Sequence, residues 1–263
     1  LTDFKYLSRE WKRNCDDERL LGVSLTGIMD NPLTNGTKKG LDELLQELRD
    51  LAYETNKEWA DRLGIQRAAA ITCVKPSGTV SQLVDSASGI HARHNPYYIR
   101  TVRADNKDPL CKMMKEAGFP NEPDVTKAEH MTVFSFPMKS PKGAVCRNEL
   151  SAISQLELWK TYASNWCEHK PSVTISVKEN EWPEVQAWVY KYFDDISGVS
   201  FLPHSEHAYR QAPYQDCTKE VYNEVLKTMP KNVDWAKLSK YESQDYTVAS
   251  QELACVGTSC EII

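Results

Sequence analysis

No stretch of this chain is apolar for long enough to cross a bilayer, and none has a signal-peptide pattern, so no membrane partner is expected. There is no basic run, and the 263 residues carry a net charge of −5, which argues against a dedicated nucleic-acid binder. The eight cysteines lack the compact spacing of a disulfide framework, which points to a reducing compartment and a cytoplasmic location. Neither a Walker loop nor a G-x-G-x-x-G occurs. The first residue is Leu1 rather than Met, so further sequence upstream is expected.

What is present is a globular balance, with 41% apolar and 26% charged residues, in a chain long enough to bury a large core. Helical spacing runs over residues 1–17, with Phe4, Leu7 and Trp11 on one face, and over 38–63, where Leu41, Leu44, Leu45, Leu48 and Leu51 form a stripe that Gly64 ends. Apolar, strand-like runs occupy residues 20–29 and 67–74. Strand, helix, strand is the grammar of a parallel α/β sheet or barrel. Further helices are expected over 108–118, 148–167, 181–195 and 218–229, and strands over 132–137, 172–177 and 198–203. From Pro230 the chain turns polar and poorly periodic, so an extended or mobile tail is expected over 230–263, after one α/β portion over 1–229.

The most informative stretch follows the second strand run. Lys75-Pro76-Ser77-Gly78-Thr79-Val80-Ser81 breaks the strand at Pro76, and Gly78 is read as freeing the backbone. Ser77, Thr79 and Ser81 are candidates to cap a following helix. By its own grammar this is either a plain strand-to-helix turn or a cradle for an anion, above all a phosphate. His91 and His94, and His204 and His207, are H-x-x-H pairs without a second ligand pair; packing outweighs zinc for both. Arg93, Arg100 and Arg103 are candidates to face a phosphate. Near the end, Cys255 and Cys260 flank Gly257. They are either incidental surface thiols or a pair able to close a small disulfide loop. Their spacing is not that of a C-x-x-C, and zinc would need two more ligands.

Pro76-Ser77-Gly78-Thr79-Val80-Ser81 and the block through Arg103 (KPSGTVSQLVDSASGIHARHNPYYIRTVR) resemble the catalytic subunit of ribonucleotide reductases. So do RLLGVSLTGIMD (19–30), WCEHKPSVTISV (166–177), GVSFLP (198–203) and the closing ACVGTSCEI (254–262). The wording is most similar to the adenosylcobalamin-dependent class that reduces ribonucleoside triphosphates. The resemblance implies a reaction in which the 2′-hydroxyl of a ribonucleotide is replaced by hydrogen. A thiyl radical, generated with adenosylcobalamin, takes the 3′-hydrogen, and a cysteine pair supplies the reducing equivalents. It implies that residues 76–81 hold the substrate's phosphates. It implies that Cys255 and Cys260 form the shuttle that carries electrons from thioredoxin or a similar dithiol. The fold it implies is the C-terminal half of a ten-stranded α/β barrel with a flexible C-terminal tail.

The family's radical cysteine lies in a motif like Asn-Pro-Cys-Gly-Glu, which is absent from this sequence. The effector-binding elements are absent as well. The chain is therefore expected to need an N-terminal part of the same enzyme and to be inactive alone. Two other readings stay open on sequence: part of an iron-dependent, diphosphate-reducing class, or a nucleotide-binding module that has lost the chemistry.

Overall fold

The computed structural model describes residues 5–78, 80–204 and 209–242. In chain order the helices and strands are α1 (Arg9–Glu18), β1 (Val23–Ser24), α2 (Leu41–Leu63), β2 (Thr72–Cys73), β3 (Tyr97–Asp105), α3 (Pro109–Glu116), β4 (Asn121–Pro123) and β5 (Met131–Lys139). These are followed by α4 (Ala152–Asn165), β6 (Ser172–Val177), α5 (Trp182–Lys191), β7 (Gly198–Pro203), β8 (Tyr214–Asp216), α6 (Lys219–Thr228) and α7 (Leu238–Tyr241). The chain is mixed α/β and divides into two compact units, Leu1–Arg93 with Lys142–His204, and His94–Pro141 with Ser205–Ile263. No helix among the described residues is long and apolar enough to cross a membrane.

The first unit carries two parallel strand pairs, β1 with β2 and β6 with β7. Val23 pairs with Thr72 and Ser172 with Gly198. Gly198 is required by close packing there, since a Cβ would lie 3.2 Å from the Pro171 carbonyl. The core comes from α2, α4, α5 and these strands. Leu45, Leu156, Trp159, Tyr162 and Ile175 are fully buried in it. In α4, Trp159 and Tyr162 are also satisfied: the Trp159 indole donates to Pro171 O at 3.1 Å, and the Tyr162 hydroxyl to Thr34 O at 2.7 Å. Among the described residues these parallel sheets are small and do not close.

The strand expected over 67–74 pairs only at Thr72–Cys73. One of its edges faces β1, with Leu21, Val23 and Leu25 donating to Ala70, Ile71 and Cys73 carbonyls. The other edge is capped by a side chain: Glu168 Oε2 accepts from Ile71 N at 2.8 Å and Thr72 N at 3.2 Å. Burial raises the Glu168 pKa, but the Tyr53 hydroxyl and these two N–H groups outweigh it and hold it below the ordinary value. A carboxylate with a lowered folded pKa stabilises above its unfolded value, about 4.3, and loses that contribution as pH falls through the folded one. The wild type should therefore be more stable than Glu168→Gln at pH 7, and the gap should close on acidification below about pH 4. Thermal melts of both proteins across that range check it; a gap independent of pH would contradict it.

The second unit holds an antiparallel sheet in the order β4-β5-β3-β8. Its centre is the long pairing of β3 with β5, from Tyr97↔Lys139 to Asp105↔Met131. The strand expected over 132–137 lies within β5, whereas no strand was expected over residues 97–105. A small core of Cys111, Phe119 and Phe134 lies beside the sheet, with Met229 and Val233 packed on it. The chain after Pro230 is not extended at first. A 3-10 turn over Trp235–Lys237 leads into α7, Trp235 packs 5.9 Å from the Phe119 ring, and the Tyr241 hydroxyl donates to Glu116 at 2.6 Å. Residues 243–263 lie outside the described residues.

Candidate functional site

The loop leaves β2 at Val74 and ends in a 3-10 turn over Val80–Val84, where an α-helix was expected. Two features of the sequence explain the difference. Val80 and Val84 are β-branched, which disfavours continued α-helix. The Ser81 hydroxyl donates back to the Ser77 carbonyl instead of capping, a local bond that competes with helix. The turn is too short for a helix dipole to contribute, so any anion cradle here rests on loop hydroxyls and N–H groups.

The loop is tied at both ends. Lys75 N donates to Ser24 Oγ at 2.9 Å and Ser77 N to Ser88 Oγ at 3.2 Å. Ser86 N donates to Ser81 O at 3.0 Å. Gly89, at φ +51°, lies so close that a Cβ would meet Lys75 O at 3.2 Å. Sequence reading missed Ser24 and Ser88 as loop supports; the hydroxyl beside a left-handed glycine at 88–89 was the available signal.

Each candidate residue has a definite place. Pro76 and Gly78 are exposed, Ser77 is half-buried, Val80 is exposed and Ser81 is buried. Thr79 lies outside the described residues, as do Cys255, Cys260 and His207. Gly78 does not use the left-handed backbone that its sequence reading invoked, and a Cβ there would meet nothing within 4 Å. Space therefore lies open beside the loop. Ser77 Oγ is itself buried and has no hydrogen-bond partner among the described residues. A buried hydroxyl left unpaired costs about 1–3 kcal/mol, which an oxygen-rich ligand would relieve.

The histidines pack. His91 accepts from Thr174 N at Nε2, 3.1 Å, so its Nδ1 carries the proton and donates to Ser88 O at 3.1 Å. Burial lowers its pKa, although the bond to Ser88 opposes this, and it bridges the loop to β6 as a neutral ring. His94 meets Asp216 at 2.7 Å and stacks on Tyr214 within the second unit. No group of three or more potential metal ligands occurs among the described residues. Nor do the three arginines reach for an anion as expected. Arg93 is buried against Asp30 and Asp85, while Arg100 lies 4.4 Å over the Tyr214 ring and Arg103 pairs with Asp124 at 2.7 Å.

Two described thiols, Cys167 in the first unit and Cys111 in the second, are poor nucleophiles. Burial pushes Cys167 up to about 12, against a hydrogen bond from Val74 N–H, with Cys73 nearby adding to the rise. Cys111 is raised by burial too. The thiolate is the exchanging species, so neither supplies it readily at neutral pH.

No family model matches the chain. Among curated proteins it is similar to the probable adenosylcobalamin-dependent ribonucleoside-triphosphate reductase of Dictyostelium discoideum, at 28% identity over 93% of this chain and 32% of that one. The adenosylcobalamin-dependent ribonucleoside-triphosphate reductase of Lactobacillus delbrueckii subsp. bulgaricus is 27% identical over 93% of this chain and 37% of its own length. That of Euglena gracilis is 28% identical over 92% and 33%. The chain also has the fold of a B12-dependent (class II) ribonucleotide reductase crystal structure, with a TM-score of 0.76 and 23% identity over 89% of this chain and 36% of that one. The chain spans about a third of the length of the curated reductases it matches.

Proposed function

We propose that this chain is the C-terminal portion of an adenosylcobalamin-dependent ribonucleoside-triphosphate reductase, contributing the cradle for the substrate's triphosphate and the thiol pair that renews the active site. The observation that carries the reading is Ser77. Its buried hydroxyl lacks a partner among the described residues, on a loop that Ser24 and Ser88 fix at a strand exit and whose Gly78 is exposed. Strand exits are where parallel α/β proteins keep phosphate sites. In this reading residues 76–81 bind the phosphates, with Ser77 and Thr79 as hydroxyl donors, and Ser81 braces the loop from inside.

The two parallel strand pairs are then parts of a half-barrel, completed by the N-terminal part of the same enzyme. Exposed Leu20, Leu21 and Val23 along β1 suit a covered edge. Cys255 and Cys260, on a tail over 230–263, take electrons from thioredoxin or a similar dithiol in the cytoplasm.

The described residues do not by themselves fit cobalamin. One groove, of about 520 Å³, is lined by Pro183, Ala187, Tyr190 and Phe193 and is mostly apolar, with Gln186 among its lining residues. The cofactor supplies radical generation in the whole enzyme; this chain binds and orients the nucleotide.

Ser77→Ala and Thr79→Ala should each weaken triphosphate binding by about 1–2 kcal/mol. Calorimetric titration with a ribonucleoside triphosphate measures it. Unchanged affinity in both variants would return the loop to a structural role.

A further inference from the structure

Arg93 is buried on the return leg of the phosphate loop, and its partners decide what it does. Its guanidinium forms a two-pronged pair with Asp30, Nε to Oδ1 at 2.7 Å and Nη2 to Oδ2 at 2.8 Å, with its side chain only 3% exposed. Nη1 reaches Asp85 Oδ1 at 3.0 Å, and Nη2 also donates to the Asp85 backbone carbonyl. Asp85 holds φ +46°, a left-handed angle that is costly for a residue with a Cβ. Asp30 completes the arrangement by accepting from Ala87 N at 2.7 Å through the same Oδ2 that meets Arg93. Gly27 N donates to Ala87 O at 2.9 Å, and Gly27 approaches Ser86 so closely that a Cβ would lie 3.3 Å from the Ser86 Cβ. Arg93 is itself held on both sides, its N–H donating to Val145 O and its carbonyl accepting from Arg147 N, each at 2.9 Å.

An arginine near a phosphate loop is ordinarily read as an attractor of the anion. Here two carboxylates bracket one guanidinium, so the group offers no net positive charge to a phosphate. What it offers is geometry, since a planar fork fixes the directions of its hydrogen bonds as a lysine cannot.

We propose that Arg93 and Asp30 are positioning residues for the phosphate loop, locking residues 85–87 so that Ser77 and its neighbours are presented in one shape. This rests on the phosphate reading of the loop given above. The clamp and simple attraction predict opposite signs. Removing a carboxylate beside an anion site by charge alone tightens binding, whereas loosening a clamp weakens it.

The test is titration of the full chain and its variants with inorganic tripolyphosphate, together with amide hydrogen exchange. Asp30→Asn should bind tripolyphosphate about tenfold more weakly, and Arg93→Lys, which keeps the charge but not the fork, should lose about the same. Exchange of the Ala87 amide should quicken in both. Tighter or equal binding by Asp30→Asn, or Arg93→Lys within about twofold of wild type, would overturn the proposal. The wild type provides a check that does not depend on a variant folding: its Ala87 amide should exchange far more slowly than that of exposed Leu83, and equal rates would overturn the clamp. If the wild type takes up no tripolyphosphate while Ala87 is protected and released as described, the phosphate reading fails and the clamp on loop geometry stands.

Discussion

Replacing Cys255 with Ser is expected to stop turnover driven by a thioredoxin-type protein while sparing turnover driven by a small dithiol. The measurement is made in the complete reductase that contains this chain. Thiol–disulfide exchange needs one sulfur to reach another and a thiolate to attack. In the barrel proposed above, a protein reductant would be too large to enter and a shuttle would carry electrons inward, whereas a small dithiol would enter unaided. The Cys167 thiol is unsuited to that task, since it packs against the core with its pKa pushed up to about 12. Cys255 and Cys260, outside the described residues and separated by four residues in the sequence, are the pair the resemblance assigns to it. Equal loss under both reductants would mean that they are not a shuttle.

The second large effect is on stability. Trp159→Ala should destabilise the first unit by about 3–5 kcal/mol, a large share of the 5–15 kcal/mol typical of a folded domain. Trp159 is fully buried in the core, its ring centroid is 6.5 Å from that of Trp188 in an edge contact, and its indole N–H satisfies the Pro171 carbonyl. Truncation leaves both a cavity and an unpaired acceptor. Urea unfolding measures the loss, with Tyr190→Ala as the control. Tyr190 is 88% exposed, so its removal should cost no more than about 0.5 kcal/mol. A loss below about 1 kcal/mol for Trp159→Ala would contradict the packing of α4.

The parts of this fold legible in the sequence are those where burial imposes a period. The α2 helix ends at Gly64 in the left-handed conformation as expected, and Leu41 and Leu45 of its stripe are buried, whereas Leu51 is exposed. β6 was legible as a short β-branched run, and β7 as a short apolar one. The two-residue strands were not, because the outer edge of β2 is satisfied by the Glu168 carboxylate from 96 residues away, a partner no local pattern announces. β3 was hidden because its Tyr and Arg side chains look like those of a binding loop, whereas Arg100 and Arg103 are spent on Tyr214 and Asp124. At the site itself, the loop was legible from Pro76, Gly78 and the hydroxyls. Its supports were not, since Ser24, Asp30 and Arg93 come together only through the pairing of β1 with β2 and the turn that follows β1. Arg93 reads in sequence as a candidate anion ligand and is in the fold a buried brace, a distinction set by Asp30 and Asp85.

In the proposed function, residues 76–81 grip the phosphates of a ribonucleoside triphosphate. The most direct measurement is photo-crosslinking with a ribonucleoside triphosphate carrying a photoreactive group on its γ-phosphate, with the label located by mass spectrometry. The expected result is label on the peptide spanning residues 75–84, competed away by unmodified triphosphate and reduced in Ser77→Ala. Competable label elsewhere on the chain, with this peptide unmarked, would contradict the account.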